Sequence, residues 1–163
     1  MLPQRIQLIA YSTLAVIICY IDRVNISVAI IPMQEQFGWS DSQVGFIFSS
    51  FYIGYMLTMA LGGYLSDKFG GKLVLGYGVV LWSIFTILTP LAAHNGFFAL
   101  FVMRVLMGIG EGVTFPAWQS LYARWIPFKE RTRAIAFTNS GISIGTIIGY
   151  IGTQIIIIAL GWE

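Results

Sequence analysis

Four ionisable residues lie within long stretches of otherwise apolar sequence, and they are the first candidates for chemistry. Asp22 and Arg23 are adjacent near the N-terminus, whereas Arg104 and Glu111 are seven residues apart later in the chain. If these stretches cross a membrane, each charge is costly in lipid and must face the protein interior or a water-filled cavity. Two interpretations stay open: a buried structural ion-pair network, or a path for an ion or a small charged substrate.

The helical phase of these residues indicates which of them can act together. Arg104 and Glu111 are two turns apart, so they share one helix face and are separated by about 10.5 Å along the axis. Gly108 lies between them on that face and leaves room for a ligand or for a closely packed helix. Arg104 is therefore expected to be a cavity charge, near Glu111 but too far for a direct bond.

Asp22 and Arg23 are neighbours in sequence, so their side chains point about 100° apart on a helix. Arg23 shares one flank with Tyr20 and Ser27, and Asp22 shares the other with Asn25. We expect Asp22 to face a neighbouring helix and Arg23 to face a cavity. An unpaired guanidinium beside a cavity suits a carboxylate or a phosphate, because its planar fork binds either one bidentately.

The composition defines the environment of these charges. Of 163 residues, 57% are hydrophobic and 10% are charged, against about 25% charged residues in ordinary soluble domains. So few charges exclude a soluble enzyme and a disordered chain, and a net charge of +2 does not indicate a nucleic-acid partner. With one cysteine and one histidine, no catalytic set, metal site or cofactor is predicted. The sequence is that of a multi-pass membrane protein in a lipid bilayer.

Five stretches are long and apolar enough to cross a bilayer, which takes roughly 20 residues. They cover about residues 6–31, 44–65, 73–93, 97–123 and 135–160, the first to fifth spans. Each is predicted to be a helix, because a helix satisfies its own backbone hydrogen bonds in lipid. A β-barrel would need short alternating strands instead. The predicted fold class is thus an all-α membrane protein with five transmembrane helices.

The loops that carry Lys or Arg all fall on one side of the membrane. The positive-inside rule places that side, and with it the N-terminus, in the cytoplasm. A cleaved signal peptide is the alternative for the first span, but no small-residue cleavage site follows it. Cys19 is expected to be an inert packing residue, and His94 a solvated residue of an outer turn. The glycines of the second and fifth spans are expected to pack helices.

Two segments resemble motifs of the major facilitator superfamily. Residues 63–72 read GYLSDKFGGK and are similar to its signature loop G-x-L-x-D-R-x-G-R-K, with Lys68 in place of Arg and Gly71 in place of a basic residue. Residues 104–110 read RVLMGIG and are similar to its second motif, R-x-x-x-G-x-G. The resemblance implies that the loop governs conformational switching, with a gating motif made of Gly63, Asp67, Lys68, Gly70 and Lys72.

Three further segments resemble the anion:cation symporter family within that superfamily. They are YIDRVNIS at residues 20–27, GEGVTFP at 110–116 and RWIPFKER at 124–131. Members carry organic anions, such as sugar acids, aromatic acids or phosphate, usually with protons or sodium. The resemblance implies that Arg23 contacts the anion and that Asp22 and Glu111 carry protons. The substrate-binding set is completed by Tyr20, Asn25 and Tyr55.

The resemblance also implies a larger architecture than this chain holds. Superfamily members have twelve helices in two six-helix halves, each built from inverted three-helix repeats. Residues 1–163 are therefore expected to form one incomplete N-terminal half, whose partner is a C-terminal six-helix half. The first and fourth spans begin the two repeats, and the four buried charges lie on these two spans.

The leading functional interpretation is a secondary transporter: proton-coupled symport of an organic anion, a sugar acid or another carboxylate, by alternating access. One alternative is an anion exchanger of the organophosphate-for-phosphate type, and another is a shortened, non-transporting membrane interaction protein. The loop after the first span is short and lacks a glycosylation sequon. Animal relatives usually have a longer glycosylated loop there, so the expected location is a bacterial inner cell membrane.

Overall fold

The computed structural model describes residues 4–162, which form helices and no strand. The helices are α1 Gln4–Phe37, α2 Asp41–Phe69, α3 Gly71–His94, α4 Phe97–Gly112, α5 Thr114–Trp125 and α6 Phe128–Leu160. Within that range five segments are long and apolar enough to cross a membrane, with α4 and α5 together forming the fourth. The all-α class and the five predicted spans are therefore confirmed. The cytoplasmic position of the N-terminus stays a prediction.

The helices extend beyond the apolar stretches from which they were predicted. α1 continues through Pro32 to Phe37, and α2 is separated from α3 by Gly70 alone, with φ at 89°. High hydropathy identifies only the part of a helix that lies in the hydrocarbon of the membrane. The backbone hydrogen bonds of the helix continue beyond it, through the polar residues at each end. The loops expected at residues 66–72 and 124–133 are largely helical for this reason.

The fourth span is interrupted at Val113, two residues after Glu111. Pro116 has no N–H, so the carbonyl of Gly112 loses its helical donor. The helical pattern resumes where the N–H of Ala117 donates to the carbonyl of Val113 at 3.0 Å. The span therefore carries an irregular turn next to its buried acid, a feature that the sequence interpretation did not include.

Two helix crossings organise the bundle, and glycines make both possible. At the crossing of α2 with α4, Gly54 lies against the backbone of Val105 and Gly108 against that of Phe51. At the crossing of α1 with α6, the contacts come from Gly141, Gly145 and Gly149. The packing role predicted for these glycines is confirmed, and Gly108 makes room for a helix. Gly63 and Gly152, assigned to the same role, have no such neighbour.

An aromatic cluster joins three segments at the end of the bundle that is predicted to lie outside the cell. The ring of His94 stacks on that of Trp162 at 5.4 Å and meets Phe37 edge-on at 5.5 Å. Trp162 also donates its indole N–H to Gln36 at 2.8 Å. His94 is exposed, as expected, but it also takes part in this ring cluster.

Gly54→Ala is expected to destabilise the protein by about 2 kcal/mol or more, as overpacking usually does when backbone must move. An added methyl group would overlap the carbonyl of Val105. The matched control is Gly45→Ala on the same helix, where no atom lies within 4 Å and helix propensity favours alanine. Thermal unfolding of both variants in detergent checks this, and equal midpoints would contradict it.

Candidate functional site

An ion pair between α1 and α4 forms the centre of the buried charges. The Nη2 atom of Arg23 lies 2.9 Å from Oε2 of Glu111, and its Nε atom lies 3.3 Å from the same oxygen. The Glu111 side chain is fully buried and that of Arg23 is 16% exposed. The expectation that Arg23 is unpaired is therefore wrong, because a partner 88 residues away reaches its guanidinium.

Three aromatic rings surround the guanidinium of Arg23. Its central carbon lies 4.9 Å from the ring centres of Tyr20 and Phe51 and 4.8 Å from that of Tyr55. Rings at this distance attract a cation through their quadrupoles. The structure thus brings the two predicted tyrosines to Arg23. Sequence reasoning missed Phe51, although its place one turn before Tyr55 was an available signal.

Cys19 belongs to the same polar cluster. Its thiol donates to Oε2 of Glu111 at 3.2 Å, and the residue is 1% exposed. The interpretation of Cys19 as an inert apolar packing residue is therefore wrong. Arg23 and Cys19 both contact Oε2, and Oε1 of Glu111 has no hydrogen-bond partner within the described chain.

Arg104 is a second buried cation, and it also lies against the ring of Phe51. It is 3% exposed, and its guanidinium lies 5.3 Å from the Phe51 ring centre. Its Nη1 contacts the sulfur of Met107 at 3.1 Å, and its Nε has no hydrogen-bond partner among residues 4–162. Within that range no carboxylate oxygen pairs with it. Arg104 is thus the buried guanidinium whose charge has no acid partner.

Two cavities lie on opposite flanks of α1, and Arg104 borders both. The first, about 200 Å³, has Tyr20, Arg23, Ser27, Phe51 and Arg104 among its lining residues; we call it the arginine cavity. The second, about 70 Å³, lies between α1, α3 and α4 and has Asp22, Asn25, Thr86, Thr89 and Arg104 beside apolar side chains in its wall; we call it the aspartate cavity. The two flanks of α1 that were predicted from helical phase, one with Arg23 and one with Asp22, therefore each border a cavity.

Asn25 lies on the far side of α1 from the arginine cavity. It was placed with Arg23 in the predicted substrate-binding set, but it borders the aspartate cavity with Asp22. The reason is its phase on the helix, which the analysis of flanks had already indicated.

The predicted gating loop contacts α5 at the basic end of the bundle. Arg124 donates to the carbonyl of Asp67 at 3.0 Å, and its guanidinium lies 3.9 Å from the carboxylate. Ser120 donates to the same carboxylate at 3.3 Å. Both charged side chains are more than half exposed, so this ion pair between α2 and α5 contributes little to stability.

The other motif residues occupy distinct positions around this contact. Lys68 lies over the ring of Tyr64 at 5.7 Å, and Lys72 borders a groove between α1 and α3. Gly70 holds the positive φ that lets α3 start at once, and Gly63 has open space beside it. The motif is therefore a compact turn, with no buried charge of its own.

Arg23 and Arg104 supply two positive charges beside one cavity, and Glu111 neutralises one of them. No group of three His, Cys, Asp or Glu side chains comes together in the described part of the chain to hold a metal ion.

A bundle of five helices long and apolar enough to span a membrane, with paired and unpaired charges beside internal cavities, defines a multi-pass α-helical membrane protein with charged groups in its interior. Within that class, the family model of the Major Facilitator Superfamily matches residues 12–163. The chain belongs to this superfamily, so the resemblance noted in its motifs is confirmed.

Several curated plant proteins are similar to the chain over nearly its whole length. It is 48% identical over 160 residues to "Probable anion transporter 4, chloroplastic" of Oryza sativa subsp. japonica, covering 98% of this chain and 27% of that protein. It is 46% identical to "Ascorbate transporter, chloroplastic" and 44% identical to "Sodium-dependent phosphate transport protein 1, chloroplastic", both of Arabidopsis thaliana. These matches cover 98% of the chain and 30% and 31% of the two proteins. The chain thus spans less than a third of the length of these relatives.

The fold is similar to that of a solved transporter. A bacterial homologue of the human lysosomal transporter Spinster, in its inward-facing and unoccupied conformation, superimposes with a TM-score of 0.85 at 29% sequence identity. The match covers 91% of this chain and 31% of that one. A second crystal structure, inward-facing and occupied, gives a TM-score of 0.84.

Proposed function

We propose that the chain forms part of a secondary transporter that carries a small anion by alternating access. The observation that supports this most directly is the arginine cavity, where the partly buried guanidinium of Arg23 and the buried one of Arg104 border one space and a single carboxylate neutralises only one of them. A buried charge without a partner is costly, so the site favours an incoming anion. The names of the plant relatives include anion, ascorbate and phosphate transporters.

The Arg23–Glu111 pair gives the proposed carrier a way to couple anion movement to protons. While Glu111 is ionised, it occupies the guanidinium that an anion would use. Protonation of Glu111 weakens the pair, because a neutral acid loses the Coulombic attraction. Arg23 then becomes available to a carboxylate or phosphate beside Arg104. Proton binding and anion binding thereby favour one another, as symport requires.

A chimera tests the proposal as a whole. This chain is joined to the remaining C-terminal part of the Arabidopsis ascorbate transporter, with which it shares 46% identity, and reconstituted in proteoliposomes. Uptake of labelled ascorbate and labelled phosphate is measured with and without an inward proton gradient. Accumulation driven by the gradient supports symport of the accumulated anion. A well-folded chimera that binds neither anion would overturn the proposal.

The same vesicles distinguish the exchanger, which is the second candidate. The name of one relative, a sodium-dependent phosphate transport protein, favours phosphate as a substrate to be tested in both assays. Uptake by an exchanger requires an anion inside the vesicle and does not depend on the pH gradient. A proton-coupled symporter instead accumulates labelled anion in vesicles that hold no anion, when an inward proton gradient is present. The non-transporting interaction protein, the third candidate, would bind a complementary half without giving uptake in either assay.

Asp67→Asn is expected to slow anion uptake by the chimera about tenfold, with little change in equilibrium affinity for the anion. The reason is that Asp67 contacts Arg124 at the basic end of the bundle, remote from the arginine cavity, and lies where a rearrangement of α2 against α5 would act. Initial uptake rates and equilibrium anion binding are measured on the same preparation. A large loss of affinity with normal turnover would contradict this assignment.

The membrane in which the protein works is part of the same proposal. A bacterial inner cell membrane remains our prediction from the short loop after the first span, and a chloroplast membrane is the alternative favoured by the names of the plant relatives. Fractionation of the native cells with an antibody against the chain distinguishes the two.

A further inference from the structure

We propose that Phe51 is a positioning residue of the anion site, whose ring holds the guanidinium groups of Arg23 and Arg104 beside the arginine cavity without neutralising either charge. This inference rests on the proposed anion transport and explains how two like charges remain together at one site. Phe51 lies on α2, is 1% exposed and is itself among the residues that line the arginine cavity.

The two guanidinium groups need partners that keep them in place. Arginine stays protonated in proteins, so neither group can escape the repulsion by losing its proton. Arg23 has a carboxylate of Glu111 at 2.9 Å, whereas Arg104 is 3% exposed and pairs with no acid among residues 4–162. A buried charge without a compensating partner is costly. A group other than a carboxylate must therefore stabilise Arg104 in its position.

The ring of Phe51 can supply this stabilisation to both arginines. Its centre lies 4.9 Å from the guanidinium carbon of Arg23 and 5.3 Å from that of Arg104. The face of an aromatic ring is electron-rich, and its attraction for a cation is strongest where water is excluded. The sulfur of Met107, 3.1 Å from Nη1 of Arg104, is a second uncharged partner.

An uncharged partner suits an anion site better than an acid does. Glu111 neutralises Arg23 and competes with an incoming anion for its guanidinium. The Phe51 ring carries no charge, so it holds both arginines and leaves their positive charge for the substrate. We therefore assign holding to the ring, and competition with the anion to Glu111.

The close approach of α2 to α4 explains why a ring from α2 reaches these arginines. Gly108, one turn after Arg104 on α4, lies against the carbonyl of Phe51 and the backbone nitrogen of Tyr55. A side chain at Gly108 would displace this backbone, so only glycine permits the contact. Phe51 and Tyr55 are one turn apart on α2 and share a face, and their rings stack at 5.8 Å. The ring of Phe51 is thus fixed from two sides.

A double-mutant cycle on the chain in detergent tests whether the ring acts on the charge of Arg104. Phe51→Leu keeps apolar bulk but removes the aromatic face, so it should lower the thermal unfolding midpoint by several degrees. Arg104→Met removes the charge, and in that background Phe51→Leu should cost clearly less. A residue that only fills space would give the same loss in both backgrounds, and this result would overturn the proposal.

Anion binding by the ascorbate-transporter chimera, with labelled ascorbate and labelled phosphate as probes, tests the positioning role directly. Phe51→Leu should weaken binding about fivefold or more, from the loss of a desolvated cation–π contact. Phe51→Tyr keeps the ring and should bind nearly as well as the unaltered chimera. Phe101→Leu is the matched control, because that half-buried ring on α4 packs against the rings of Phe97 and Phe98. It should bind anion normally.

Fluorinated phenylalanine at position 51 separates the electronic effect from the shape of the side chain. Fluorine withdraws electron density from the ring face and changes the shape little, so each added fluorine should weaken anion binding further. Affinity that does not depend on the number of fluorines, or that is unchanged in Phe51→Leu, overturns the positioning role. An equal loss in Phe101→Leu does so too, because it would reflect general destabilisation.

Failure of the proposed function gives a different result. An unaltered chimera that folds but binds neither anion counts against the proposed transport, whatever Phe51 does. The unfolding cycle then decides by itself whether the ring holds Arg104: equal losses in the two backgrounds overturn that role, and unequal losses support it.

Discussion

Replacing Arg23 by alanine is expected to lower the free energy of unfolding by about 3–5 kcal/mol, the usual cost of breaking a buried ion pair from one side. The change leaves the fully buried carboxylate of Glu111 without its cation. It also removes the guanidinium that is proposed to hold the anion, so phosphate or ascorbate binding should be abolished. Unfolding in detergent and equilibrium anion binding measure the two losses separately.

Two further variants separate the structural role of Arg23 from the proposed binding role. Combining Arg23→Ala with Glu111→Gln removes both charges, so most of the stability should return while anion binding stays absent. Arg23→Lys should keep more stability than anion affinity, because an ammonium group can pair with Glu111 but lacks the planar fork. Full anion binding by the alanine variant would contradict the assignment.

A surface ion pair provides the matched control for the loss of stability. Arg5 and Glu130 lie 3.7 Å apart, with both side chains more than half exposed. Exposed pairs of this kind contribute at most about 1 kcal/mol. Arg5→Ala should therefore change the unfolding midpoint only slightly. A loss as large as that of Arg23→Ala would mean that burial is not the cause.

Glu111→Gln is expected to leave anion exchange intact and to abolish accumulation driven by a proton gradient. Glutamine resembles the protonated acid, so it should release Arg23 for the anion and hold the carrier in its binding-competent state. It cannot give up a proton on the other side of the membrane, so the chimera should only equilibrate labelled anion. Exchange and gradient-driven uptake in the same proteoliposomes measure both properties.

Asp22→Asn is the companion variant, because Asp22 is the other acid within the membrane-spanning part of α1 and α4 and is partly buried. If Glu111 couples protons, Asp22→Asn should keep accumulation driven by a proton gradient. Normal proton-driven accumulation by Glu111→Gln would instead mean that Glu111 is not the coupling residue. Asp22 would then be the candidate for the proton as well.

The membrane class, the number of spans and the family follow from local features of the sequence. A run of about 20 apolar residues is sufficient to predict a spanning helix, and the two superfamily motifs lie within short continuous segments. The ends of the helices were less predictable. The breaks at Gly70 and Val113 depend on one glycine and one proline, and the polar flanks of the other spans continue the helix without any hydrophobic signal.

The sequence by itself determined which residues are charged in the membrane and on which flank of its own helix each one lies, because helical phase is a local property. Only the tertiary structure decided what those residues contact. The side chain of Arg23 in α1 reaches Glu111 in α4. The ring of Phe51 in α2 lies within cation–π distance of both Arg23 and Arg104. Such contacts join positions far apart in the chain, and no spacing within one helix can specify them.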